Sequence, residues 1–548
     1  MEQFGQLNYY YGCFCLFLAL VFLHAKFGTG KKLPRPRLPP GPWRLPVIGS
    51  LHHLLRRGLP HHTMRDLSLR HGPLMLLRIC ERVVFVVNSA EAAREVFMGH
   101  GTAFEHRPSS PGIDEMSRHG VGVIFAPYGE RWRRLRRILV TELLSSRRVG
   151  EFRRIREEEA ARLAASLASS TSIPGQLVNV DERLAEFVAD SSVRAVFGDR
   201  LPDRDSFLRM VKRGVELSSL FDLRDLFPTS RIVRTLPRSR KAEQHLQEMF
   251  RLIDDVLRHH EERKTGAGER EKEQDMIDVL LRIQEDGAMR AALTPGVIRA
   301  VLTVIIHLHH IYSQQSLIWT LSSSSFFYAS HALCPCMDFV EQDVFGAAID
   351  TATTTLQWAM AELIANPRVM EKAQLEVRHA LAGQQRVREA ALSSMPYLKT
   401  VVKETLRLHP PAPFIPRSCL EDQKVQGYDV PKGTILVVNA WAISRDPTYW
   451  QDSEKFMPER FEGDHALDFK GLDFEFTPFG AGRRICPGIT FAQANVEIAL
   501  ATLLYHFDWE LPRGAKPEEL DMTEQFGVTV TRKSQLLLSP IPRIPALD

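Results

Sequence analysis

Most of the chain is patterned for helices. Leu, Ile and Ala recur at three- and four-residue spacing over residues 153–167 and again over 241–258, with charged residues between them, which predicts two amphipathic helices. Residues 489–506 predict a third. Ile349, Ala352, Leu356, Met360 and Leu363 step along one face of a fourth. Strand-like runs are few and short: 74–79 with 83–87, then 434–439, then 527–531. Residues 259–275 mix both charges around a Gly-Ala-Gly and predict a solvated loop. No internal repeat is visible. The balance is a mainly α fold with small β-sheets.

Two stretches depart from that pattern. Residues 9–23 are apolar and uncharged, and Lys26, Lys31, Lys32, Arg35 and Arg37 follow them. A bilayer span needs about 20 residues, so the run is slightly short unless its flanks help. The positive charge lies after the run, residue 2 is Glu and no small-residue cleavage site is obvious, which argues against a cleaved signal peptide. Residues 1–27 are therefore expected to be a membrane anchor helix whose basic flank stays cytosolic. Pro34, Pro36, Pro39, Pro40 and Pro42, with Gly41 among them, make 28–48 a basic, semi-rigid hinge. The globular unit is then 49–548.

The second departure is 303–342, apolar and serine-rich with no clean period, placed between a helix start at 298–300 and the periodic helix that begins near Asp343. It reads as translated non-coding sequence, such as a retained intron, in preference to a looped insertion. A transcript that joins codon 302 to codon 343 would establish the former. Cys334 and Cys336, one residue apart with no partner pair, are weak metal ligands.

Composition narrows the function classes. Hydrophobic residues make up 44% and charged residues 25% of 548, ordinary for a globular protein. A net charge of +4 with no concentrated basic face gives no support for a nucleic-acid partner. Seven scattered cysteines do not make a secreted disulfide scaffold. One of them, however, sits in a motif.

Residues 479–488 read FGAGRRICPG, with Phe479, Gly482, Arg484, Cys486 and Gly488 as the distinctive positions. The glycines permit tight turns beside a flat cofactor. Cys486 offers a thiolate, which as proximal ligand of a haem iron favours O–O cleavage. Loop N–H groups can donate to that sulfur, and Arg484 can neutralise a haem propionate. The helix pattern starts at once, so its positive N-terminal end faces the sulfur.

This loop resembles the haem-binding loop of the cytochromes P-450, and three further stretches match that family in the same order. Lys403-Glu404-Thr405-Leu406-Arg407, with Arg460 downstream, resembles its buried ion network behind the haem. Trp132 and Arg136, and later Arg417, resemble its propionate contacts. Residues 346–351 resemble the oxygen-binding stretch of its central helix, in which Asp350 and Thr351 would relay protons; the family usually has glycine where Ala348 stands. Pro39-Pro40-Gly41-Pro42 and the cysteine loop are worded like the plant microsomal A-type group.

The resemblance implies the cytochrome P-450 fold, haem b, and insertion of one atom of O2 into a lipophilic plant metabolite, for instance a terpenoid. Electrons would come from NADPH through NADPH–cytochrome P-450 reductase at the endoplasmic reticulum membrane, its lipid holding the anchor. Arg133, Arg134 and Arg137 could dock an acidic electron donor. By position, substrate contacts would include 109–125, Ala347, Ala348, Phe414, Ile415 and 526–529. Two alternatives are a haem-thiolate isomerase or dehydratase independent of O2, against which the Asp350–Thr351 pair argues, and a product inactivated by 303–342.

Overall fold

The computed structural model describes residues 36–56, 58–109, 123, 126–172, 175–198, 223–235, 244, 247–248, 251, 254–258, 260–262, 275–285, 345–463, 466–512, 514–527 and 529–545. The anchor at 1–27, the first part of the hinge and the segment 303–342 lie outside them. Among the described residues no helix is long and apolar enough to cross a membrane.

The helices that build the site are α1 (Pro60–His71), α2 (Glu130–Ile138), α3 (Arg153–Ser169), α4 (Val180–Phe197), α5 (Met276–Glu285), α6 (Phe345–Ala365), α7 (Pro367–Ala380), α8 (Pro396–Leu408) and α9 (Ile489–His506). Proline opens α1, α7 and α8, where its missing N–H costs nothing. Asn179 caps α4 by accepting from the Glu182 N–H. The periodic face of α6 is where the sequence placed it: Ile349, Ala352, Leu356, Met360 and Leu363 are all buried, against α4, α8 and α9. Burying such a Leu or Met contributes roughly 1.5–3 kcal/mol each.

A second, sheet-based core lies beside this bundle. Strands β1 (Leu74–Ile79), β2 (Arg82–Val87), β3 (Phe414–Ser418) and β4 (Ile435–Asn439) form one sheet in the order β1-β2-β4-β3, with β2 and β4 parallel. The expected strands at 74–79, 83–87 and 434–439 are thus all present, give or take a residue. The parallel pairing of β2 with β4 brings chain from opposite ends of the sequence together and delivers Phe414 and Ile415 of β3 to the bundle.

Two expectations are corrected. Of the expected strand 527–531 only Thr531 is in a strand; Gly527, Thr529 and Val530 lie between β5 (Glu524–Gln525) and β6 (Thr531–Arg532), which pair as a hairpin. The turn bonds to a helix instead of a ladder: the Trp358 indole of α6 donates to the Val530 carbonyl at 2.8 Å. Of the segment 259–275 the structure describes 260–262 and 275; Glu261 and Glu262 are exposed, but the other two are not. His260 and Asp275 are buried and bonded to each other at 3.1 Å. A run of mixed charge looks solvated in sequence because the partner that neutralises each charge is not visible there.

Candidate active site

The cysteine loop is shaped by one 3-10 turn, Gly482–Arg484, which ends four residues before α9. Gly482 has φ +73°, and a Cβ there would lie 2.9 Å from the Phe97 carbonyl oxygen, so glycine is required for conformation and for space. Gly488 differs. Its φ of −92° suits any residue, and its contribution is an N–H donated to Cys486 Sγ at 3.4 Å. Burial pushes the Cys486 thiol up, while the Gly488 N–H, Arg136 and Arg107 pull it back.

Cys486 lines a cavity of about 320 Å³. Thr351, Ala352 and Thr355 of α6 also line it, as do Phe414 and Ile415 of β3 and Phe479 and Gly488 of the loop. Most of this wall is apolar. The exceptions are Cys486, Thr351, Thr355 and Gln493, and three basic residues, Arg107, Arg136 and Arg484, with Trp132 beside them. The Trp132 indole donates to the Val123 carbonyl at 2.8 Å, and its ring lies under the Arg484 guanidinium at 4.7 Å. Arg484 donates to the carbonyls of Glu105 and of Ala126, the latter at 2.6 Å. Arg136 reaches the Ile485 carbonyl, tying α2 to the cysteine loop.

Arg417 is not a lining residue. It is buried behind the wall and donates to the carbonyls of Pro416 at 3.0 Å and Ala481 at 3.4 Å. Burial, then the charges of Arg107 and Arg484, push it well below the ordinary guanidinium range; Glu105 opposes them. Arg107, which sequence reasoning did not single out, lines the cavity and donates to the Pro416 carbonyl at 2.9 Å. A lone arginine before a proline carries no sequence signal; only the fold shows that it crosses to β3.

Three guanidiniums on the wall and a fourth behind it, whose charge Glu105 favours, gather positive charge at this cavity. Set beside an apolar cavity with a thiol in its wall, they suit a flat group with an apolar body, an anionic edge and a thiophilic metal. Haem has that description.

Glu404, Arg407 and Arg460 are joined in one hydrogen-bonded network. Both carboxylate oxygens of Glu404 take Arg407 in a fork, at 2.7 and 2.8 Å, with neither side chain exposed. Arg460 adds a bond at 3.0 Å and the Met457 N–H another at 2.8 Å. Arg407 also donates to the carbonyls of Ser444, Ser453 and Lys455, so its donors are used.

Asp350 and Thr351 do not stand together in the cavity. Thr351 lines it; Asp350 does not, because its side of the helix is turned toward Thr529. The Asp350 carboxylate accepts from the Thr529 hydroxyl at 2.5 Å. Burial raises its pKa to about 6, against the effect of that bond. Of the positional substrate contacts, Val123, Phe414 and Ile415 line the cavity. Phe526 stacks instead on His61, and Ser109 is exposed. The side chains of Ala347 and Ala348, and most of 109–125, lie outside the described residues.

The sequence profile of the cytochrome P-450 family matches residues 39–307 and 341–538. The chain belongs to the cytochrome P-450 family. Its match breaks at 308–340, inside the segment whose pattern departs from the rest. This cytochrome P-450 is 41% identical over 529 residues to desmethyl-deoxy-podophyllotoxin synthase of Sinopodophyllum hexandrum, covering 96% of this chain and 95% of that one. It is 39% identical over 542 residues to premnaspirodiene oxygenase of Hyoscyamus muticus, covering 97% and 98%. The fold is also that of a solved zebra fish cytochrome P-450, with a TM-score of 0.69 at 23% identity, covering 89% of this chain and 100% of that one. The protein is thus a haem-dependent cytochrome P-450 monooxygenase of the plant type, and the fold class expected from sequence stands for the globular part.

Proposed function

We propose that this cytochrome P-450 hydroxylates a lipophilic plant metabolite of the terpenoid class, and that Cys486 is the thiolate that would hold the haem iron. Haem supplies the activation of O2. The observation that carries the reading is that Cys486 and Thr351, far apart in sequence, line one largely apolar cavity. Trp132, Arg107, Arg136 and Arg484 would hold the propionates, with Arg417 supporting them from behind and Phe479 closing the wall beside the sulfur. Thr351 hydrogen-bonds within the cavity and Asp350 brings protons to it. Glu404, Arg407 and Arg460 keep the loop's floor rigid. The substrate class rests on the apolar lining and on relatives whose names specify terpenoid oxidation, among them a dolabradiene monooxygenase of Zea mays at 40% identity.

Electrons come from NADPH through NADPH–cytochrome P-450 reductase. Arg133, Arg134 and Arg137 are exposed on α2, whose Arg136 touches the cysteine loop, so an acidic partner bound there lies near the sulfur. Residues 1–27 hold the protein in the endoplasmic reticulum membrane with the catalytic domain cytosolic. Microsomes containing the protein and the reductase, given a panel of terpenoids, are expected to yield products one oxygen atom heavier, only with both NADPH and O2. Product formed without either would support an isomerase or dehydratase, and a missing thiolate-type carbon-monoxide band an inactive protein.

The arginine crowd gives a second expectation. Arg417→Met removes a charge that burial and two like charges disfavour. The apoprotein should melt no lower than the parent, while the haem-to-protein ratio falls several-fold. Equal haem content would remove the supporting role of Arg417.

A further inference from the structure

We propose that Thr529 is a positioning residue: its hydroxyl holds Asp350 turned away from the cavity and so limits how often that carboxyl reaches it. The inference rests on the proton-handling role assigned to Asp350 above.

The hydroxyl is directional. Thr354 donates its own hydroxyl to Thr529 Oγ1 at 3.2 Å, which leaves the single Thr529 proton for Asp350, at 2.5 Å. Asp350 and Thr354 are four residues apart on α6 and share a face, which is not the face that Thr351 presents to the cavity. All three side chains are buried.

Thr529 itself is held in place. One residue on, the Val530 N–H donates to the Pro411 carbonyl at 3.0 Å and the Val530 carbonyl accepts from Trp358. On the other arm of the hairpin, Glu524 accepts from His61 at 2.9 Å, His62 at 2.7 Å and Trp441 at 3.1 Å. The hairpin is therefore clamped to α6 and to α1 on both sides of the hydroxyl, and a rotation of the Asp350 side chain is the smallest change that brings a carboxyl to the cavity. No charged group contributes to the state of Asp350 among the described residues. Burial raises its pKa and the Thr529 bond lowers it. Removing the bond frees the rotamer and leaves burial alone to favour the neutral acid.

The test uses the full-length protein with NADPH–cytochrome P-450 reductase, without added substrate. Thr529→Val keeps the shape and removes the donor; Thr529→Ala serves if valine does not accumulate. Expected are a several-fold rise in NADPH oxidation, a fall of its solvent deuterium isotope effect toward one, and an infrared band of a protonated buried carboxyl at neutral pH that Asp350→Asn removes. Thr529→Ser should restore the parent values of all three. If Asp350→Asn leaves NADPH oxidation and its isotope effect unchanged, the proton-handling assignment falls. If Asp350→Asn slows oxidation while Thr529→Val matches the parent in rate, isotope effect and infrared spectrum, Asp350 keeps its role and Thr529 loses its own.

Discussion

Cys486→Ser is expected to abolish the carbon-monoxide spectrum of a thiolate-ligated haem and to reduce NADPH-dependent turnover to background while the fold survives. The substitution exchanges sulfur for oxygen in a side chain whose hydrogen bond to the protein is one weak contact, from the Gly488 N–H at 3.4 Å. Losing such a bond costs about 0.5–1.5 kcal/mol, too little to unfold the chain. A serine hydroxyl does not ionise near neutral pH, so the anionic ligand disappears even though Arg136, Arg107 and the Gly488 N–H still favour negative charge at that atom. The checks are the reduced carbon-monoxide difference spectrum and the melting temperature of the same preparation. A serine variant with unaltered pigment and activity would overturn the assignment of the axial ligand.

Glu404→Gln is expected to destabilise the protein by roughly 3–5 kcal/mol, because it strips the charge partner from a guanidinium with no solvent exposure. The carboxamide is uncharged and turns an NH2 toward one arm of the Arg407 fork. A domain with a total stability of about 5–15 kcal/mol loses a large share of it in this way. Arg460→Met should cost less. Arg460 is partly accessible, and its removal leaves the Arg407–Glu404 fork intact. Denaturation midpoints of the two single variants and the double variant measure the coupling directly. If Glu404→Gln matches the parent in midpoint and haem content, the network carries no structural role.

The family was legible because its chemistry is local. Five positions within ten residues around Cys486 specify a turn, a thiol and a helix start, and none of these needs a distant partner to be recognised. The same holds for the Glu404–Arg407 pair, one turn apart on α8. The break in the family match at 308–340 was foreshadowed for the same reason: 303–342 lacks the period that its flanks carry. What failed was non-local. Residues 527–531 have strand-like composition, yet the Val530 carbonyl bonds to α6 and only Thr531 joins a ladder. His260 and Asp275 sit in a charge run, yet they pair in the interior. Arg107 carried no signal because its partner is the Pro416 carbonyl, more than three hundred residues away.

Asp350 and Thr351 show the division most clearly. That an acid and an alcohol stand side by side on a helix in this family follows from the chain alone, and so do the helix, the cysteine loop and the ion network. Which of the two faces the cavity does not. Helix geometry turns neighbours about 100° apart, and packing against the hairpin, not the helix, decides which direction is interior to the cavity and which meets Thr529. Periodicity and short motifs determine elements and their chemistry because they act over a few residues. Orientation, burial and the state of each charge depend on chain brought in from elsewhere, and only the tertiary structure supplies it.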